Sequence, residues 1–470
     1  MAISRFSARF CVILSAFSAV LHAADRRPVD WAKAGAEVVE HLAALVKLDT
    51  SNPPRNETRA AGYVQQVLAR EGIPARMFAL EPGRANLVAR LKGDGSRRPI
   101  LVMGHTDVVG VQRSKWTVDP FGAVLRGGFL WGRGAQDDKD HVAAGLMLML
   151  LLKRLEVPLA RDVIFLAEAS EESGGADGIR YMVEQHWPEI EAEYALAEGG
   201  TTVAAGGKVR YVSITTTEKV PRGMRLVAHG TAGHGSRPTP DNAVVHLAAA
   251  VAKMGAWQPP MRLSETTRVY FERLASVSPP EQAARYRRIL DPAHATETDR
   301  YFRRHELGHY SILRTSITPT MVTAGFRVNV IPSEAEAYLD VRALPDENMD
   351  RLVAALKQVI ADPAVEVIPP AGGGRPATPP SRIDTPMFRA LEHAQQRLFP
   401  GAVTLPAMLT GATDMAQLRA RGVQAYGFGP VTEQNDGLGG AHSDDERIAV
   451  ASLQKLLQFL WDTVIEMAAK

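Results

Sequence analysis

The chain has 470 residues, of which 46% are hydrophobic and 23% are charged. This length allows more than one domain with a sizeable apolar core. Lysine and arginine total 54 against 52 for aspartate and glutamate, and this near-balance gives no electrostatic footprint for nucleic acid or an anionic membrane.

The N-terminus has the composition of a secretory signal peptide. Arg5 and Arg9 precede an apolar run over residues 10–21, which small residues follow and which is too short to span a bilayer comfortably. We expect residues 1–24 to be removed and the protein to be secreted or periplasmic, without a stable membrane anchor; a buried N-terminal helix is the alternative. The single cysteine, Cys11, lies in this run, so the mature chain must hold any transition metal with His, Asp and Glu.

Outside its middle part, the mature chain alternates between helical and strand-like patterns. Apolar residues from about residue 31 to 72 are spaced as in helices, with a break at Ser51-Asn52-Pro53-Pro54. Short apolar runs ending in polar loops are separated by helical stretches such as 141–155, and these runs are residues 100–103, 163–167, 194–197 and 423–428. This alternation indicates an α/β domain built on a mostly parallel central sheet flanked by helices.

The middle of the chain has a different pattern, typical of an inserted α+β module. Its strand-like segments are residues 219–228, 321–330 and 335–339, and its helical segments are residues 243–254 and 349–360. A charged stretch punctuated by prolines covers residues 258–318, and a Pro/Gly-rich return hinge covers residues 369–386. We therefore divide the mature chain into a first domain part (25–217), an inserted domain (218–368) and a second part of the first domain (369–470).

Candidate metal ligands occur where strands are predicted to end, which is the edge where open α/β sheets bind ligands. They form five groups: His105 with Asp107, Asp137 in Gly132-Arg133-Gly134-Ala135-Gln136-Asp137-Asp138-Lys139, the pair Glu171-Glu172, Glu198 before two glycines, and His442 in Ala441-His442-Ser443-Asp444-Asp445-Glu446-Arg447.

Each group fits metal chemistry, and each also has an ordinary explanation. A carboxylate near a metal-bound His can orient its ring, and adjacent carboxylates repel one another unless a cation neutralises them. Of two successive glutamates, one can bind a metal ion while its neighbour contacts a water. However, a His-x-Asp sequence is often a plain loop, and acidic residues also suit solvated turns and the first turn of a helix.

The order of these motifs is more specific than any one of them. The series H-x-D, R-G-x-x-D-x-K, E-E, a lone Glu and A-H-x-x-x-E-R resembles the dizinc metallopeptidase family that includes carboxypeptidase G, aminoacylase, acetylornithine deacetylase and succinyl-diaminopimelate desuccinylase. The resemblance runs from about residue 35 to the C-terminus. It implies a zinc-peptidase-like catalytic domain with an inserted lid and dimerisation domain, through which the chain could form a homodimer.

The resemblance also implies a set of ligands for two Zn²⁺ ions per subunit, with Co²⁺ or Mn²⁺ as alternatives. Asp137 would bridge the two ions. Glu172 and His442 would complete one site, and His105 and Glu198 would complete the other. Three protein ligands per ion leave a position for a bridging water, as catalytic zinc requires.

Three further residues receive catalytic roles from the resemblance. Asp107 would orient His105, and Glu171 would be the general base that takes a proton from the metal-bound water. His234, in the inserted module, would stabilise the oxyanion, often in the site of the partner subunit. The sequence departs from the family at Asp140, where a Gly is usual, so an additional carboxylate could disturb the helix start or the surroundings of the ligands.

The resemblance narrows the substrate to a small peptide or an N-acyl amino acid. In the family, Glu at the position of Glu198 accompanies carboxypeptidases and acylamino-acid hydrolases, whose substrates have a free carboxylate. Arg327, Asn329 or the loop 411–414 could bind that carboxylate, whereas Asp414 could instead bind a free amino group. A metal-dependent phosphoesterase and a non-catalytic binding protein on the same fold are the alternatives, although no phosphate cradle is present and neither the base nor a ligand is missing.

Overall fold

The computed structural model describes residues 28–370, 372, 374–433 and 440–470. The predicted signal peptide, residues 1–24 with Cys11, lies outside the described residues. In the part that is described, no helix combines the length and the apolar character needed to cross a membrane.

A central sheet, with ten strands among the described residues, forms the frame of the larger domain. Its middle is parallel: Ile100–His105 pairs with Val163–Glu168 and Tyr194–Ala197, and Tyr194–Ala197 pairs with Gln424–Gly427. Antiparallel pairing enters on both flanks, which the sequence patterns did not predict. The flanking strands are Ala75–Ala79 and Ala85–Leu91 on one side, and Thr201–Ala205, Lys208–Glu218, Val403–Leu409 and Val431–Glu433 on the other.

Helices cover both faces of this sheet, because alternate strand residues point to opposite sides. Val102 and Phe165 point to one face and Leu101 and Ile164 to the other, and each set belongs to a separate apolar core. The first face is covered by the helices Trp31–Val46, Glu57–Arg70, Lys139–Arg154, Pro386–Leu398 and Val450–Ala468. The second face is covered by the helices Ile179–Gln185, Trp187–Ile190 and Met415–Ala420.

Short elements join distant parts of the chain around the edge of the central sheet. Arg447–Ala449 pairs with Phe129–Trp131, which pairs with Val124–Arg126, so the C-terminal motif lies beside the motif that begins at Gly132. The remaining short elements are the strands Ser51–Asn52 and Val108–Val109 and the 3₁₀ turns Arg113–Lys115 and Glu171–Ser173.

The inserted module forms a smaller antiparallel sheet, which we call the lid sheet. Its strands are Val220–Pro221, Met224–His229, Ser316–Ala324, Glu334–Ala343 and Val365–Ile368. The helices Ala243–Ala256 and Met349–Ile360 pack on it, and side chains such as Leu247 and Leu356 fill the core between them. A separate two-stranded ribbon pairs Gly233–His234 with Val330–Ile331.

The last residues of the charged stretch 258–318 begin the lid strand Ser316–Ala324. Residues 258–315, which we call the helical insertion, do not extend the lid sheet. They form the helices Glu265–Ser276, Pro280–Arg288, Ala295–His305 and Leu307–Ile312. The first begins at a Ser264 capping box, and the second has Pro280 at its first position. Phe271 and Phe302 are fully buried in a core that includes Leu405 of the central sheet, so the helical insertion packs against the edge of that sheet.

Candidate metal centre and active site

The five predicted ligands lie together at one edge of the central sheet. His105 Nε2 is 3.0 Å from Asp137 Oδ1 and 4.0 Å from Glu198 Oε1. His442 Nε2 is 3.1 Å from the other oxygen of Asp137, Oδ2, and 2.8 Å from Glu172 Oε1. The chain thus presents two sets of three ligand atoms that share Asp137, each set lying within 4.8 Å.

A backbone carbonyl fixes the orientation of the His105 ring. Nδ1 of His105 is 3.0 Å from the carbonyl oxygen of Asp107. Because a carbonyl can only accept, Nδ1 carries a proton, and Nε2 faces Asp137, where the neutral ring would offer its lone pair to a metal ion. The Asp107 carboxylate lies 3.6 Å from Nδ1 and accepts the backbone N–H groups of Glu171 and Glu172 at 3.1 and 3.2 Å. Asp107 therefore holds the turn that carries both glutamates.

Glu446 holds the loop that carries Asp137, a role that the sequence did not indicate. One Glu446 oxygen accepts the backbone N–H groups of Gln136 and Asp137 at 2.9 and 3.2 Å. Its other oxygen pairs with Arg133, and both side chains are buried. One buried ion pair, between Arg133 and Glu446, thus joins the motif that contains Asp137 to the motif that contains His442.

Asp140, which stands where the family has Gly, lies in a buried polar cluster with Asp138 and His141. Its carboxylate is 3.4 Å from His141 Nδ1, and Asp138 lies nearer to the same nitrogen, at 2.6 Å. Asp138 also accepts the backbone N–H of His105 at 3.1 Å. Burial raises the pKa of Asp140 to about 6. These contacts make Asp140 part of the packing behind His105.

Carboxylates crowd this edge of the sheet, and their pKa values reflect it. Burial, followed by the charge of Asp414, raises the pKa of Glu171 to about 8, although Arg375 opposes this shift. Burial and then the charges of Asp138 and Asp137 raise the pKa of Glu198 well above its usual range. A divalent cation would relieve this repulsion and favour the ionised forms, so the donor set fits metal ions.

A cavity of about 610 Å³ opens onto these residues. The sequence missed Arg375, which lines it and pairs with both Glu171 and Asp414, the latter at 3.1 Å. Arg342, from the lid sheet, also lines the cavity, as do residues 411–413 of the predicted substrate loop. The negative charge of Asp414, which could have bound a free amino group, is thus already paired.

The other predicted residues lie outside this cavity. His234 is exposed, and its Nδ1 accepts hydrogen bonds from the backbone N–H and the hydroxyl of Ser236 at 3.1 and 2.7 Å. Nε2 of the neutral ring is therefore free to donate outward. Arg327 and Asn329 are exposed beside the same ribbon. Among the described residues that line the cavity, none of these three is present.

Comparisons with known proteins find a matching family and similar sequences. A sequence profile of the peptidase family M20/M25/M40 matches residues 101–466. Over 383 residues the chain is 28% identical to the human N-fatty-acyl-amino acid synthase/hydrolase PM20D1, which covers 79% of this chain and 74% of that protein. Over 390 residues it is 28% identical to the probable carboxypeptidase S-like 2 of Dictyostelium discoideum, which covers 81% and 74%.

The fold is similar to that of solved structures. The M20 family metallo-carboxypeptidase Sso-CP2 from Sulfolobus solfataricus superposes with a TM-score of 0.67 at 17% identity, over 91% of this chain and 98% of that one. This likeness, which covers 91% of the chain, confirms the predicted architecture of a catalytic domain with a lid.

Proposed function

Because the chain belongs to the peptidase family M20/M25/M40, it is a metal-dependent hydrolase, and we propose that it uses two divalent cations to cleave a peptide or N-acyl amide bond. The observation that carries this proposal is the pair of ligand sets sharing Asp137, with Glu171 beside them in one cavity. The family of peptidases and acyl amino acid hydrolases favours amide hydrolysis over phosphoester hydrolysis.

The proposed ligands suit zinc, with cobalt or manganese as alternatives. Glu172, His442 and one oxygen of Asp137 would hold one ion, and His105, Glu198 and the other oxygen would hold the second. Imidazole and carboxylate donors without thiolates are compatible with all three metals. When bound, such ions polarise the scissile carbonyl and bring the pKa of a water toward neutrality.

Glu171 is the proposed general base. It is buried, contacts the cavity and is held by the Asp107 hydrogen bond to its backbone, while its carboxylate remains outside both ligand sets. It would take a proton from the attacking water and give a proton to the leaving nitrogen as the C–N bond breaks. The products are a carboxylate and an amine. His234 would donate Nε2–H to the oxyanion from the lid.

We propose that the substrate has a free carboxylate, as in an N-acyl amino acid, a dipeptide or the C-terminus of a peptide. Arg375 and Arg342 are the arginines among the described residues that line the cavity, and Arg375 is half-buried at its wall. A guanidinium binds a carboxylate in a planar, bidentate manner. The printed names of the relatives, an N-fatty-acyl-amino acid hydrolase and a carboxypeptidase-like protein, support this class.

A homodimer through the lid is part of the proposal. Ser316–Ala324 lies at the edge of the lid sheet, where it exposes Met321 and Val322, and the neighbouring helix Ala243–Ala256 exposes Val245. An apolar sheet edge is a surface on which strands of two chains can pair. His234 could then reach the cavity of the partner subunit. A monomeric mass in light scattering at micromolar concentration would contradict this part.

Export is proposed from the N-terminal sequence alone. Expression with the native N-terminus should deliver a secreted or periplasmic protein that has lost residues 1 to about 24. Mass spectrometry of the exported protein tests this directly, and an intact Met1 would contradict it.

The function is tested with purified mature protein, residues 25–470, loaded with Zn²⁺, Co²⁺ or Mn²⁺. A panel of dipeptides, N-acyl amino acids, their carboxamide analogues and phosphoesters is assayed for hydrolysis. We expect cleavage of amides with a free carboxylate, and loss of activity on chelation that metal addition restores. Hydrolysis of phosphoesters alone, or activity that is insensitive to chelation, would contradict the proposal.

A further inference from the structure

A second cavity, which we call the side cavity, lies between the helical insertion and the central sheet. Its volume is about 330 Å³. The strands Lys208–Glu218 and Val403–Leu409 supply one wall, and the helices Glu265–Ser276 and Leu307–Ile312 supply the other. Gly199 and Leu409 line both this cavity and the catalytic cavity. Since Gly199 directly follows the proposed ligand Glu198, the two cavities meet beside the metal centre.

The side cavity offers an apolar surface, because its polar groups are largely bonded to one another. The Tyr270 hydroxyl donates to His309 Nε2 at 3.1 Å, and His309 Nδ1–H donates to Glu306 at 2.6 Å. Thr215 donates its hydroxyl to the Gly199 carbonyl at 2.5 Å. The apolar side chains of Ile312, Ala407, Met408 and Leu409 form much of the remaining wall, together with Thr201 and Ser213, whose hydroxyls bond to each other, and with Tyr211 and Thr410.

The charges of the two cavities differ in a way that orients a substrate. Among the described residues that line the side cavity, none is Lys or Arg, and Glu306 adds a negative charge. The catalytic cavity is lined by Arg342 and Arg375, and its four carboxylates either pair with Arg375, as Glu171 does, or belong to the proposed ligand sets, as Asp137, Glu172 and Glu198 do. A molecule with one anionic end and one apolar end would therefore place its carboxylate at the arginines and its apolar end in the side cavity.

We propose that the side cavity is an acyl subsite, which takes a medium or long aliphatic acyl chain of an N-acyl amino acid. This inference rests on the proposed function and adds which substrates it favours. A chain that enters the side cavity leaves water, and the burial of one methylene changes kcat/KM by about fourfold. The helical insertion, which supplies one wall of the cavity, would be the element that confers this preference.

The first test is a chain-length series on the metal-loaded mature protein. N-acetyl, N-butanoyl, N-hexanoyl, N-octanoyl and N-dodecanoyl derivatives of one amino acid are compared by kcat/KM. We expect a rise of about fourfold per added methylene until the cavity is full, and then a plateau. A flat series, with the acetyl substrate cleaved as well as the others, would overturn the acyl subsite and leave the proposed function intact.

The second test fills the side cavity. Gly308 lines it, and a Cβ at this position meets no atom within 4 Å, so the wall has room for the larger side chain of Gly308→Phe. We expect the ratio of kcat/KM for the octanoyl substrate to that for the acetyl substrate to fall at least tenfold. Ala407→Leu, on the opposite wall, should lower the same ratio. Leu307→Phe, on the same helix but 67% exposed and outside the cavity, is the matched control that should leave the ratio unchanged.

The outcomes separate the two proposals. An unchanged ratio in both cavity variants, or an equal fall in Leu307→Phe, would show that the acyl chain binds elsewhere and would overturn the inference. Absence of amide hydrolysis with every metal and every substrate would overturn the proposed function together with the inference.

Discussion

The central sheet and the lid hold their candidate residues in different ways. His105 ends one strand and Glu198 follows its parallel neighbour, so the pairing of the two strands itself brings their side chains to 4.0 Å. His234 lies on a two-residue strand of the lid, where it is exposed and bonds only locally, to Ser236. The proposed metal centre therefore needs only the fold of one chain. A role for His234 in catalysis, by contrast, depends on how the lid of the same chain or of a partner subunit is placed over the catalytic cavity.

The largest effect is expected from a change within the central-sheet site that spares its ligands. Glu171→Gln should lower kcat by several orders of magnitude, up to about 10⁴-fold, because the amide cannot accept a proton. Its metal content should stay near that of the unaltered protein, since Glu171 lies outside both ligand sets. Glu172→Gln is the matched control, and it should lose metal affinity. Loss of an ion in Glu171→Gln, or near-normal turnover, would show that Glu171 is not the base.

A smaller effect is expected from the lid. His234→Ala should leave stability and metal content nearly unchanged and lower kcat by about a hundredfold to a thousandfold, far more than it raises KM. If His234 acts in the partner's site, mixing His234→Ala with Glu171→Gln chains should restore activity, because hybrid dimers hold one complete site. No recovery, with subunit exchange confirmed, would mean that it acts within its own chain or not at all, and normal turnover would remove it from the chemistry.

A still smaller effect is expected from Arg375, in the segment that connects the lid to the central-sheet domain. Arg375 lies in the hinge that returns from the lid, and Arg375→Ala should raise KM for a substrate carboxylate by about tenfold to a hundredfold. The carboxamide analogue should be affected much less, and Arg375→Lys should recover part of the loss. Arg382→Ala, an exposed arginine of the same hinge paired with Asp384, is the control. Equal losses for carboxylate and carboxamide would show that Arg375 acts through its ion pair with Glu171 or through the fold, and not on the substrate carboxylate.

The smallest effect concerns lid stability and pH. His246 pairs with Asp362 at 2.7 Å, and this hydrogen bond raises the pKa of His246 above its usual value. The stabilisation is fully present below the unfolded pKa of about 6.5 and is lost as pH rises through the folded value. His246→Gln should therefore lower the free energy of unfolding at pH 6, by at most about 1 kcal/mol, and by less at pH 9. Asp362→Asn should reproduce this pH dependence; its absence in either variant would contradict the assignment.

The helices and strands that could be predicted from the sequence are those with a clear local pattern of apolar residues. Tyr194–Ala197 and Met349–Ile360 have the predicted bounds because a buried parallel strand and an amphipathic helix each have an unambiguous apolar pattern. Lys208–Glu218 was missed, since residues 212–218 are all buried, and a strand that is buried on both faces shows no alternation of apolar and polar residues. The helical insertion was hidden by its prolines and charges.

In the candidate site, too, residues that stand in local motifs could be predicted, and residues that depend on long-range contacts could not. His105, Asp137 and His442 stand in motifs of recognisable order, and the structure brings them together. Arg375 has no local signal, because it is a lone arginine in a Pro/Gly-rich stretch and its partner Glu171 is 204 residues away in sequence. Long-range ion pairs of this kind follow from the packing of elements, which a sequence pattern does not encode.

The central claim is that one chain builds a two-metal site around Asp137, and metal analysis of the mature protein tests it most directly. Inductively coupled plasma mass spectrometry should find two ions per chain in the unaltered protein. His105→Ala and His442→Ala should each lose one ion, and Asp137→Asn should lose both, because both sets share this carboxylate. One ion per chain in the unaltered protein, or two ions retained in Asp137→Asn, would contradict the account.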